Sequence, residues 1–165
     1  MSHRDVVSPF QDLRHDHRGC ISEALAEAER LCRERGARLT PLRRRVLELV
    51  WSSHAPTKAY DLLEQLRGEK ARVAPPTVYR ALDFLLAEGL IHRLESLNAF
   101  VGCGDPARTH FGQFLICERC EAVAELSDPE VSDMLTSKAG RLGFAMSEQT
   151  IELAGVCPAC RRAEP

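Results

Sequence analysis

Pro75-Pro76-Thr77-Val78-Tyr79-Arg80-Ala81-Leu82-Asp83-Phe84-Leu85-Leu86-Ala87-Glu88-Gly89 is the stretch from which the rest of the chain can be placed. Val78, Ala81, Leu82, Leu85 and Leu86 recur at helical spacing, the two prolines punctuate the entry, and Gly89 supplies the C-cap. The same pattern leaves Thr77, Tyr79 and Arg80 off the apolar face. Two short runs follow, residues 90–95 and 99–103, joined by Ser96-Leu97-Asn98, and they read as a β-hairpin. A helix followed at once by a hairpin describes a winged helix, in which the last helix enters the major groove and the hairpin lies against the DNA backbone. Thr77, Tyr79 and Arg80 are therefore the candidates to meet double-stranded DNA.

Upstream, the apolar period continues. Ser22 is a candidate N-cap for a helix whose stripe is Ala24, Leu25, Ala28, Leu31 and Cys32, ending at Gly36. Cys32 lies on that stripe and reads as a core residue. Thr40-Pro41 opens a second helix with Leu42, Val46, Leu49 and Val50 inward. A third, over residues 58–67, presents Tyr60, Leu62, Leu63 and Leu66. Residues 1–19 carry His3, His15 and His17 among charges without apolar periodicity and read as a disordered tail without a metal role. This places the winged-helix domain at residues 20–102.

Gly102, Gly104, Asp105 and Pro106 mark a joint, and residues 103–109 read as a hinge. Beyond it, residues 110–165 form a second domain. Residues 111–116 and 121–126 read as strands. Pro129 starts a helix with Val131, Met134, Leu135, Ala139 and Leu142 inward, and residues 147–154 read as a last strand. Cys117-Glu118-Arg119-Cys120 and Cys157-Pro158-Ala159-Cys160 bracket this unit. Each Cys-x-x-Cys turn brings two sulfurs close enough for one ion, and two turns complete a tetrahedral four-cysteine zinc site. The alternatives are a redox pair or two disulfides. An α+β unit this small gains from a metal staple, and four thiolates leave no open position for catalysis. The Pro-Cys-x-x-Cys order and preceding His-x-Glu of a zinc deaminase are both missing. The chain thus reads as no enzyme, with no small-molecule substrate.

Charge divides along the chain. Residues 1–89 carry 15 Lys/Arg against 13 Asp/Glu, a net of +2, whereas residues 90–165 carry 7 against 11, a net of −4. Seven arginines (Arg30, Arg33, Arg35, Arg38, Arg43, Arg44, Arg45) crowd one segment with only Glu34 between them. The asymmetry suggests a phosphate-facing N-terminal half, or else a solvated helix face. No run of 18 apolar residues exists, so no membrane span is expected. The first residues lack a secretory apolar core. Cytoplasmic residence follows, where paired cysteines favour metal over disulfide.

Arg38-Leu39-Thr40-Pro41, Ala59-Tyr60-Asp61-Leu62-Leu63, the Pro76 to Leu85 run and both cysteine pairs in order resemble the ferric uptake regulator family of bacterial metal-sensing repressors, most closely its zinc-responsive branch. The resemblance covers residues 22–160. It implies a winged-helix DNA-binding domain and a dimerisation domain with structural zinc on Cys117, Cys120, Cys157 and Cys160. It also implies a homodimer on inverted-repeat, A·T-rich operator DNA, alone or as two dimers. Glu64 and Arg67, one turn apart on an exposed helix face, read as a solvated local ion pair, with a pairing between adjacent dimers as the alternative. DNA contacts carry over onto Tyr60, Thr77, Tyr79 and Arg80; Arg can bond a guanine edge twice and Tyr can pack on a thymine methyl. Iron-type members have a His-His-Asp-His run after the wing. Here the corresponding stretch runs from Phe100 through Cys103 to His110, and a thiolate there suits zinc. The regulatory zinc ligands implied are His92, Cys103, His110 and Glu125, giving two Zn2+ per chain and a zinc-responsive repressor of zinc-uptake genes. The alternatives are a family sensor of iron, manganese, nickel or peroxide, or a zinc-storage or thiol redox protein.

Overall fold

The computed structural model describes residues 5–11, 16–53, 55–69 and 73–163, so His3 and His15 lie outside the described residues. The chain divides into two compact units, one of residues 12–108 and one formed by residues 1–11 together with residues 109–165.

The first unit is built from four helices and a hairpin: α1 (His17–Glu34), α2 (Pro41–Trp51), α3 (Ala59–Glu69), α4 (Pro75–Ala87), β2 (Ile91–Leu94) and β3 (Ala99–Gly102). Helix α1 begins five residues before the expected Ser22, because Asp16 serves as N-cap and its carboxylate accepts from the Arg18 amide at 3.0 Å. Thr40 caps α2 as expected, accepting from the Arg43 amide, with Pro41 in the first turn. Helix α4 starts at Pro75 itself; its N-cap, Ala74, offers no side-chain bond. The proline rings preset the first turn instead. Gly89 follows with φ 66°, the left-handed conformation that ends the helix. Apolar faces of all four helices meet in one core, with Ala28, Val46, Leu62 and Leu85 fully enclosed.

β2 and β3 pair antiparallel with His92 opposite Val101, and residues 95–98 turn the hairpin with Asn98 at φ 46°. Thr57, before α3, exchanges backbone bonds with Phe100 at 2.9 Å in each direction, tying the hairpin back to the helices. Gly102, expected in a flexible joint, is instead packed: a Cβ there would lie 2.2 Å from the Trp51 indole. Only glycine lets the strand approach the ring that closely.

The second unit contains β4 (Gly112–Cys117), β5 (Val123–Leu126), α5 (Pro129–Arg141), β6 (Thr150–Gly155) and the short α6 (Pro158–Arg162). A further strand, β1 (Val6–Ser8), belongs to it: Val6 pairs with Leu126 and Ser8 with Glu125. The reading of residues 1–19 as a disordered tail therefore fails at β1 and at the first turn of α1. A three-residue strand has too few positions to show alternation, and its partner lies over a hundred residues away. The sheet order is β1-β5-β4-β6, with β4 and β6 parallel around the α5 crossover and the other pairs antiparallel. Phe114 is fully buried within it.

Helix α5 corrects a second expectation. The stripe is expected to face inward, yet Met134 is 49% exposed and the C-cap residue Leu142 87%, and Ser132 is the buried residue of the helix. Phe144 and Leu153 of the same unit are exposed as well. The periodicity identifies the apolar face; among the described residues Val131, Leu135 and Ala139 are half-buried, while Met134 and Leu142 stay exposed.

Gly102→Ala should lower the thermal midpoint of unfolding, at a cost of about 1 to 3 kcal/mol for overpacking against Trp51. Gly68→Ala, in α3 with nothing within 4 Å of the new methyl, should leave it unchanged or slightly raised. Equal midpoints for the two variants would contradict the packing described.

Candidate metal centres and nucleic-acid face

Val78 and Ala81 anchor α4 in the core, and that anchoring decides what the other side of the helix presents. Thr77, Tyr79 and Arg80 are all exposed, Tyr79 at 54%. Tyr60 on α3 is 68% exposed. Large aromatic side chains left in solvent at this level are candidates for contact with a partner. Among the described residues none forms an ion pair with Arg80, so its five N–H donors point to no acidic neighbour.

The arginine-rich segment behaves differently from its composition. Arg30 is held by Glu27 and Glu34 at 2.6 Å each, and Arg44 by Glu29 at 2.9 Å. Arg45 is clamped between Glu48 and Glu69. The Arg43 guanidinium lies 3.6 Å from the ring centre of Phe84 on α4 and donates to the Arg38 carbonyl at 2.6 Å. Arg35 bonds the Glu88 and Pro106 carbonyls. Five of the seven are thus engaged inside the unit. Arg33 and Arg38 make no ion pair with a described residue. Glu64 and Arg67 form a local, exposed pair at 3.6 Å. The contacts of Arg35 and Arg43 are encoded by no local spacing, so the sequence shows their charge but not their partners.

In the second unit the four cysteine sulfurs lie within 4.8 Å of one another. Cys117 ends β4, Cys120 closes the turn after it, Cys157 caps α6 and Cys160 sits within it. Cys120 Sγ and Cys157 Sγ are 3.7 Å apart, far beyond a disulfide bond length, and none of the four is disulfide-bonded. Backbone amides point at the sulfurs: Cys157 N–H donates to Cys117 Sγ at 3.3 Å and Cys160 N–H to Cys157 Sγ at 3.4 Å. The Cys157 amide, followed by those of Cys120 and Arg119, holds the Cys117 thiol down to about 6. Cys160, close to the sulfurs of Cys120 and Cys157, is pushed up to about 12. Four sulfurs packed this closely, with amides that favour the Cys117 thiolate, suit a divalent cation. The donor set, four sulfurs in two Cys-x-x-Cys turns, fits a closed tetrahedral zinc site.

The remaining candidate ligands fall in both units. In the first, His92 is half-buried on β2, and the buried Cys103 donates its N–H to the Leu90 carbonyl at 3.1 Å just beyond α4. In the second, His110 Nε2 and Glu125 Oε1 lie 2.6 Å apart with side chains 8% and 4% exposed. A buried carboxylate needs such a partner. A proton or a metal ion can serve between these two atoms, and imidazole, carboxylate and thiolate are all zinc donors.

A winged-helix unit followed by a sheet unit with clustered zinc-type donors defines a metal-binding protein of the nucleic-acid-binding class. The chain belongs to the ferric uptake regulator family, whose model matches residues 34–154. It is 44% identical over 145 residues to the zinc uptake regulation protein of Escherichia coli strain K12, spanning 86% of this chain and 84% of that one. It superposes with a TM-score of 0.83 on a zinc uptake regulator solved in complex with zinc and DNA, at 43% identity over 87% of this chain and 96% of that one. With the crystal structure of holo XcZur the TM-score is 0.79, at 48% identity over 85% of this chain and 98% of that one. Among the described residues no helix is long and apolar enough to cross a membrane.

Thiol alkylation checks the four-sulfur site. In the purified protein Cys117, Cys120, Cys157 and Cys160 should resist iodoacetamide until a strong chelator is added, whereupon all four react. Rapid modification of all four without chelator would show that they hold no metal.

Proposed function

We propose that this chain is a zinc-responsive transcriptional repressor, acting in the cytoplasm as a homodimer that binds inverted-repeat operator DNA when zinc-loaded and represses zinc-uptake genes. The observation that carries the reading is the 44% identity to a zinc uptake regulation protein over 86% of the chain. The donor chemistry agrees with it. Cys117, Cys120, Cys157 and Cys160 would hold a structural zinc; sites of that kind contribute roughly 10 to 16 kcal/mol in small peptides, which suits folding rather than sensing. His92 and Cys103 from the winged-helix unit, with His110 and Glu125 from the sheet unit, would hold the regulatory zinc. Two imidazoles, one thiolate and one carboxylate around Zn2+ leave a net charge near zero. When bound, the ion would link residues of both units and so favour one arrangement of them.

Thr77, Tyr79 and Arg80 would read bases in the major groove from the first turns of α4, with Tyr60 beside them on α3. The exposed apolar residues Met134, Leu142, Phe144 and Leu153 support dimerisation through the sheet unit. A closed four-sulfur site and a binding face of this kind support regulation rather than catalysis.

Titration of a duplex selected by the zinc-loaded protein from a random pool tests the reading. Cys103→Ser and His110→Ala should lose the zinc-dependent part of DNA affinity while keeping the zinc that survives chelator challenge. Unchanged zinc dependence in both would remove these residues from the regulatory site. Arg80→Ala should weaken binding to the selected duplex by about 1 to 3 kcal/mol and leave zinc content alone. An equal loss on selected and unrelated duplexes would take Arg80 out of base readout.

A further inference from the structure

Arg35 sits at the C-cap of α1, far in sequence from the zinc-donor and base-contact candidates, yet its guanidinium joins two segments of the winged-helix unit. Nη1 donates to the carbonyl of Glu88, the C-cap residue of α4, at 2.6 Å, and lies 3.5 Å from that residue's carboxylate. Nη2 donates to the carbonyl of Pro106 at 3.1 Å. The first bond places a cation at a helix C-terminus, where unsatisfied carbonyls and the helix dipole favour positive charge. The second reaches the segment between Cys103 and His110. Cys103 itself is tied to the same place, since its N–H bonds Leu90 two residues beyond Glu88. One side chain therefore spans from the end of the helix bearing Thr77, Tyr79 and Arg80 to the loop bearing a proposed zinc donor.

We propose that Arg35 is a positioning residue that couples zinc binding at Cys103 to the placement of α4; this rests on the zinc-responsive reading above. Arginine is suited to the task because its planar fork can serve two carbonyls at once, which an ammonium on a flexible stem cannot do in the same geometry. The Pro106 carbonyl is available to Nη2 only while the 103–108 segment holds the conformation seen here. Ordering that segment through Cys103 thus favours the Arg35 bridge, and the bridge in turn fixes the C-terminal end of α4. Coupling of this kind is reciprocal: whatever factor zinc adds to DNA affinity, DNA adds to zinc affinity.

The test measures that factor from both sides, with the full-length protein. Affinity for the selected duplex is titrated with and without zinc, and zinc affinity is measured by chelator competition with and without the duplex. In Arg35→Met both ratios should fall by the same factor, about tenfold, while DNA affinity without zinc and the count of tightly held zinc stay at wild-type values. Arg35→Lys, which keeps the charge at the helix end but not the fork, should fall between. Ratios at the wild-type value in both variants would overturn the proposal. So would an equal loss of DNA affinity with and without zinc, the mark of a purely structural arginine. Should Arg35→Met fail to fold, Arg35→Lys decides by the same ratios. If the wild-type protein itself shows no zinc-dependent gain, the functional reading fails, and the Arg35 proposal with it.

Discussion

Four sulfurs gathered within 4.8 Å at one end of a four-stranded sheet constrain everything in the C-terminal unit. Two come from the end of β4 and the turn that follows it, two from the segment after β6, and β4 and β6 are the parallel pair of that sheet. Parallel neighbours cannot be joined by a tight turn, so the chain must leave through α5 and return. The sulfur cluster fastens the two strand ends together after that excursion. The Cys157 amide aimed at Cys117 favours its thiolate, while hydrogen bonding to the sulfurs of Cys120 and Cys157 keeps the Cys160 thiol protonated. A divalent cation resolves the conflict, which is why this cluster reads as scaffold.

The His110 and Glu125 pair sits on that scaffold. Glu125 belongs to β5, hydrogen-bonded on one side to β4 and on the other to β1. A backbone paired on both sides fixes where the buried Glu125 carboxylate meets His110, and metal between the two would make the pair sensitive to zinc supply. The winged-helix unit shows the same economy of placement. Trp51 over Gly102 and the Leu90 bond to Cys103 fix where the thiol can be. Five of the seven clustered arginines are engaged with partners inside the unit.

Helix α4, the hairpin and both cysteine pairs were legible in the sequence because each is encoded by spacing over a few residues. The apolar stripe of α4, the Gly89 cap and the Cys-x-x-Cys turns need no knowledge of the rest of the chain. What escaped depends on distant partners. β1 is three residues long and pairs with residues 125 and 126. The stripe of α5 looks the same whether it faces a core or a protein surface, and Met134 and Leu142 belong to the second case. Arg30 to Arg45 read as a basic patch because composition counts charges without their partners. Gly102 signalled a joint by residue type, whereas a tryptophan some fifty positions earlier makes it a packing requirement. His92, Cys103, His110 and Glu125, scattered over the chain, came from family resemblance rather than from any local pattern.

The proposed regulatory zinc would take donors from both the winged-helix unit and the sheet unit. Anomalous diffraction at the zinc edge, from crystals of the zinc-loaded protein, tests it most directly. Two zinc peaks per chain should appear, one among Cys117, Cys120, Cys157 and Cys160 and the other bonded to His92, Cys103, His110 and Glu125. A single peak, or a second zinc held by donors from one unit alone, would contradict the account.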